Sequence, residues 1–257
     1  MARYRFCSFY FAAGRLWKAL DFHRKSTMLA AWMDSKVVNQ GIRGRIWPRL
    51  RERGFGTFSS RSAWRHRSDR IEVVNFQSFN AYNAGVIGCT TFSFAVNLGC
   101  YLLEIPPRFE PSRIKATKGH LVPEEFACHF RGQLSPDIPQ PKLLAKNIWF
   151  IDETGSNLAL SLDDAWAALD GSGLPWFEQF ASPAEVLRIL RHEPEQQGRL
   201  WGFGNNPSPV RHYFIGYAAL NLNDGNLAKD HLQHALASGC FSSVEERIAK
   251  DIERAAK

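Results

Sequence analysis

From Val73 to Leu103 the chain runs without a single Lys, Arg, Asp or Glu. An uncharged stretch of that length has to be buried, either in lipid or in the protein itself. Lipid is excluded by Asn75, Gln77, Asn80, Asn83, Thr90, Thr91, Ser93 and Asn97, which place amides and hydroxyls along the whole stretch. Its β-branched and aromatic content reads instead as two buried strands joined by a Gly-containing link. Within Thr91–Glu104 the alternation is clean, with Phe92, Phe94, Val96, Leu98, Cys100 and Leu102 on one face, and that face is expected on the core.

The flanking segments extend this pattern. Upstream, Val37, Val38, Ile42, Ile46 and Leu50 recur at helical spacing and predict a helix that Pro48 kinks or ends and Gly54 stops. Thr57–Arg67 and Ile71–Gln77 read as strands joined at Ser68-Asp69, and Phe126–Leu134 and Asn147–Ile151 as two more. Pro106–Pro123 reads as a connection and the Pro-rich Ser135–Pro141 as a loop. Together these predict an antiparallel sheet of about five strands with an N-terminal helix. After Asp152 the signals become helical. Ser161 with Asp164 has the form of a capping box for Leu162–Leu169, and Ser182-Pro183-Ala184-Glu185 starts another helix. Helices near Pro209–Leu222, Leu227–Ala237 and Ser243–Ala256 complete the chain, so the expected class is α+β, with a sheet part over 28–152 and a helical part over 153–257.

Composition narrows the function classes. Apolar residues make up 45% and charged residues 22% of 257 residues, which excludes disorder as the main state. The net charge of +7 is uneven: residues 1–70 hold 16 Lys and Arg against 4 Asp and Glu, and the rest of the chain 16 against 21. Residues 1–27 read as a basic leader or upstream extension, with Met28 as the functional start. Arg43, Arg45, Arg49, Arg51, Arg53, Arg61, Arg65 and Arg67, with Trp47, Phe55 and Trp64 between them, are candidates for phosphate and base contacts with nucleic acid. Five cysteines without a Cys-x-x-Cys pair argue against a disulfide framework and for a reducing, cytoplasmic setting.

Four segments carry a family resemblance: Arg53-Gly54-Phe55, Val73-Val74-Asn75-Phe76-Gln77, Phe94-Ala95-Val96-Asn97-Leu98-Gly99 and Cys128-His129-Phe130-Arg131-Gly132. With Trp176-Phe177 and the Ser-capped helix after it, they make residues 34–190 similar to the bacterial domain-of-unknown-function 4304 family. The resemblance implies a fold class and no established activity. In the tail, Gly216, Ala228, Leu232 and Ala235 around Asn223-Asp224-Gly225-Asn226 resemble one tetratricopeptide helical hairpin, a unit that needs neighbours to form a solenoid.

Alternation along Phe126–Leu134 sends Phe126, Cys128 and Phe130 to the core and His129 and Arg131 to the other face. If Asn75, Gln77 and Asn97 share that face, it offers amide, imidazole and guanidinium groups for a carboxylate, a phosphate or an acidic side chain. The same set also serves as a hydrogen-bonded cluster that fixes strand register. His231 and His234 lie one turn apart on a predicted helix beside Asp230, too few ligands for a metal, and no nucleophile elbow or phosphate loop is present. No catalytic residue, cofactor or metal is therefore assigned. The expectation is a binding or protein-interaction module, with a nucleic-acid-associated protein and an enzyme with a His129/Arg131 pocket as alternatives.

Overall fold

The computed structural model describes residues 33–109 and 114–255, which belong to one unit, Trp32–Lys257. The leader over 1–27, Met28 and Cys7 lie outside the described residues. Asp34 caps α1 (Ser35–Arg45) by accepting the Lys36 N–H, and α2 (Trp47–Glu52) follows after a break at Ile46, with Pro48 in its first turn. The expectation was a helix that Pro48 kinks or ends, and the break falls at Ile46. Pro48 has no N–H for the preceding helix and fits the start of a new one.

Five strands form one antiparallel sheet in the order β1-β2-β3-β4-β7, as the α+β reading expects: β1 (Thr57–Phe58), β2 (Ser62–His66), β3 (Arg70–Ser78), β4 (Phe94–Leu102) and β7 (Phe130–Gln133). The strands differ from expectation in detail. Thr57–Arg67 is a hairpin of two strands rather than one. Asn147–Ile151 is not a strand but a single bridge from Trp149 to Phe94. The uncharged link holds α3 (Ala81–Ile87), which Asn80 caps by accepting the Asn83 N–H, and the Pro106–Pro123 connection holds a small hairpin of β5 (Lys115–Thr117) and β6 (His120–Val122).

The inner face of the sheet carries helices along its whole length. Val74, Phe76, Phe94, Val96 and Leu98 pack on α1, α2, α4 (Leu158–Ala168) and α5 (Leu174–Glu178). Cys100, Leu102 and Phe130 pack on α6 (Pro183–His192), α7 (Pro209–Asn221) and the helices behind it, α8 (Gly225–Ala237) and α9 (Glu245–Ala255). Backbones approach closely: a Cβ on Gly41 of α1 would lie 2.7 Å from Leu162 Cδ1, so this helical glycine is a packing requirement. Between the two apolar clusters sits an ionic group. Glu72, fully buried, accepts from Arg65 Nε and from Arg70 Nε (2.9 Å).

The start of α4 corrects the capping-box reading. Ser161 lies buried inside the helix. The turn before it is organised by Asp152, whose carboxylate accepts from Thr154 and Ser156 and is held well below the ordinary carboxylate range by their hydroxyls. Asp164 instead accepts from Trp149 Nε1 (2.8 Å). Both sheet edges are short of free backbone: β1 has two residues, and at β7 Arg131 and Trp201 exchange N–H to C=O bonds of 2.7 and 3.0 Å.

Candidate functional site on the outer sheet face

Cross-strand register assigns the outer face. Ser62 lies opposite Asn75, Asn75 opposite Asn97, and Asn97 opposite Gln133, while Gly99 lies opposite Arg131. One end of this face is apolar: Trp64, Ile71, Val73 and Tyr101 are buried with Val122 of β6 and Cys128. The other end is polar. Asn75 Nδ2 donates to Ser62 Oγ (2.9 Å), Asn97 Nδ2 donates to Gln77 Oε1 (2.8 Å), and Asn147 Nδ2 donates to Gln133 Oε1. Arg131 makes a forked pair with Glu125, Nε to Oε1 at 2.7 Å and Nη2 to Oε2 at 3.2 Å. Glu125 is only 7% exposed, so this charge is matched where water is scarce.

A cavity of about 360 Å³ over this polar end is lined by Asn75, Gln77, Arg61, Glu125, Arg131 and Phe126, among others. Three of the five site residues expected from the sequence, Asn75, Gln77 and Arg131, therefore share one cavity. Asn97 is buried beneath it, bonded to Gln77. His129 is elsewhere. The segment before β7 is a 3₁₀ turn over Glu125–Ala127, so strand alternation does not reach back to residue 126. Phe126, expected in the core, is 70% exposed, whereas His129 is buried between the rings of Tyr101 and Phe214. Its Nδ1 accepts the Leu102 N–H (2.9 Å), and burial pushes its pKa down to about 3, so the imidazole is neutral.

Glu125, Gln133 and Asn147 were missed by the sequence reading. Gln133 follows Arg131 by two positions and was readable from the same alternation; Asn147 lies in a loop with no periodic signal.

Most of the arginine run is engaged within the fold. Arg45 and Arg49 reach Asp163 of α4 at 3.1 and 3.8 Å, and Arg53 reaches Asp170 at 2.7 Å. Arg51 stacks over Phe58, and Arg43 is exposed. Arg65 is a correction: it is buried in the Glu72 group and cannot meet a phosphate. Trp47, Phe55 and Trp64 are buried as well, so these rings serve the core and not base stacking. His231 has a ring partner that the sequence did not indicate, His212 (Nδ1 to Nδ1, 2.9 Å), and His234 stacks on the same ring. Among the described residues no group of three or more His, Cys, Asp and Glu is arranged to hold a metal. No helix among them is long and apolar enough to cross a membrane.

Comparison with known proteins gives one match. No curated protein and no solved structure matches the chain. The family model described as "Domain of unknown function (DUF4304)" covers residues 46–179, just over half of the chain and the whole sheet with α4 and α5. The outer polar face, the buried Glu72 group and α2, α4 and α5 over the inner face all fall inside these bounds, and the chain is a member of the DUF4304 family.

Proposed function

We propose that the protein is a non-enzymatic binding module of the bacterial cytoplasm whose outer polar face docks a protein partner. The observation that carries this reading is Phe126, a ring 70% exposed on the wall of the cavity that holds the Arg131–Glu125 pair. An exposed aromatic beside an arginine whose geometry is already fixed is the combination that dominates protein interfaces, because neither group loses much freedom on binding. The amides of Asn75 and Gln77 add donors and acceptors without net charge, which suits peptide groups of a partner. The free, buried thiols of Cys100 and Cys128 agree with a reducing compartment. The α7–α8 hairpin is assigned to packing on the domain, since Leu232 and Ala235 are buried in the core.

The alternatives have less to stand on. An enzyme with His129 and Arg131 in one pocket needs two residues that lie in different surroundings, and a nucleic-acid surface would draw on Arg45, Arg49, Arg51, Arg53 and Arg65, which carboxylates or rings already hold. The test is capture from native lysate by the tagged full chain, with and without nuclease, beside a Phe126→Ala variant. One stoichiometric protein that persists after nuclease and is lost with Phe126→Ala is the expected result. Loss of every captured species on nuclease treatment overturns the proposal in favour of nucleic acid.

A further inference from the structure

Two arginines, the buried Arg65 of β2 and the half-buried Arg61 in the turn before it, make an instructive pair. Arg65 has Glu72, the Arg53 carbonyl and two aromatic rings around it. Arg61, four residues earlier, has none of these. Its Nη1 is buried with no hydrogen-bond partner, and among the described residues no carboxylate is within ion-pair distance. Burial alone acts on it and lowers its pKa, with no neighbouring acid to oppose that. A desolvated guanidinium without a counter-charge is costly, and a fold keeps one where something else supplies the charge.

The side chain lines a cavity of about 630 Å³ between the start of α1 and the β3 and β4 ends, and it also borders the cavity of the Arg131–Glu125 pair. A second orphan belongs to a residue that lines the same cavity: Asn39, whose Oδ1 is buried and also without a partner. The rest of the wall includes Ser60, Ser78 and the rings of Phe79 and Phe92. Asp34 lies at the rim, but its carboxylate is already engaged as the α1 cap and beside Lys36. The cavity thus combines one unmatched cationic donor, one unmatched neutral acceptor, hydroxyls and two rings.

We propose that this cavity binds a small oxyanion, a carboxylate or a phosphate, that Arg61 grips through its guanidinium and that carries an adjacent O–H or N–H donating to Asn39 Oδ1. Binding requires both side chains to turn their orphaned atoms toward the cavity. Phe79 and Phe92 flank the carbon skeleton. Each part answers one unmet group: the anion neutralises Arg61, and the adjacent donor satisfies Asn39. Arg61 and Ser78 also line the cavity beside Phe126, so the anion is titrated against a Phe126→Ala variant as well, which leaves Arg61 in place and is expected to bind the anion like the unaltered chain.

Calorimetric titration of the full chain at fixed ionic strength tests it with three probes: glycolate, acetate and inorganic phosphate. Saturable one-to-one binding is expected for glycolate or for phosphate, and which of the two binds assigns the anion as carboxylate or phosphate. Acetate, which lacks the hydroxyl, is expected to bind about tenfold more weakly than glycolate, and Asn39→Leu to erase that difference. Arg61→Met is expected to weaken binding by at least about tenfold while leaving the Tm of the ligand-free protein unchanged or raised, because it removes an unmatched buried charge. Should that variant not fold, Arg61→Lys decides, since it keeps the charge but loses the planar fork. No saturable binding of any probe by the unaltered chain, or binding that survives both Arg61 substitutions, overturns the proposal.

Discussion

The two faces of the sheet are built from the same strands and solve opposite problems. The inner face is closed by helices along its length, and its ionic group, Glu72 with Arg65 and Arg70, is buried and linked outward to Glu178 and Asp69. The outer face is closed over half its length by the β5–β6 hairpin and left open where Asn75, Gln77 and Arg131 lie. Charge on the inner face is a folding matter, because its partners are all internal. Polarity on the outer face is satisfied in pairs yet remains accessible, which is what a binding surface requires.

Substitutions sharpen that contrast. Glu72→Gln should be the most damaging, leaving buried Arg65 and Arg70 with only the more exposed Glu178 and Asp69 as counter-charges, with a loss of roughly 3–5 kcal/mol by analogy with broken buried pairs, read by urea denaturation. Gly132→Ala, also on the inner face, comes next. A Cβ there would lie 2.8 Å from the Trp176 ring, and overpacking of this kind costs about 1–3 kcal/mol. If either variant melts like the parent chain, the inner face is not the stability-determining one.

A pH series comes third. His129 is neutral when folded, with its pKa near 3 against 6.5 in the unfolded chain, and burial also lowers His212 and His231. For a depressed histidine the unfolded state takes up the proton first. The stabilisation is therefore complete above about pH 6.5 and is lost as pH falls from there toward the folded value, at up to about 1.4 kcal/mol per pH unit for each group. Denaturant midpoints at pH 7 and pH 5 should differ accordingly, and His129→Asn should flatten the slope; an unchanged slope would mean that the other two histidines carry it. Smallest in stability are Gln77→Ala and Phe126→Ala on the outer face, each within about 1 kcal/mol. Their effect belongs in partner capture, and a large drop in Tm from either would make the outer face a folding element after all.

Legibility in the sequence followed the same divide. The alternation in β4 was readable because a long strand paired on both sides keeps strict period-two geometry. The C-terminal helices were readable from their caps and turn residues. Alternation failed before β7, where the 3₁₀ turn over Glu125–Ala127 reset the phase, so His129 and Phe126 exchanged their expected surroundings. Ser161 and Asp164 matched a capping pattern whose local geometry the Asp152 turn had already supplied. The pairing of the basic first quarter was hidden for a different reason. Asp163 and Asp170 sit more than a hundred positions after the arginines they neutralise, and only folding places α4 against α1 and α2. Three of the five residues expected on the outer face share its cavity because strand register can be inferred from adjacent runs; the pairing of amides with one another cannot.

The way the sheet ends has a consequence for self-association. A two-residue β1 offers almost nothing for another strand to extend, and Trp201 occupies the outward backbone groups of Arg131 at the opposite border. Two copies meeting at these borders find no ladder to continue, so a concentrated solution of the folded protein should resist strand-by-strand stacking into fibrils. Crowded recognition on the open face can then proceed without the sheet recruiting its own kind.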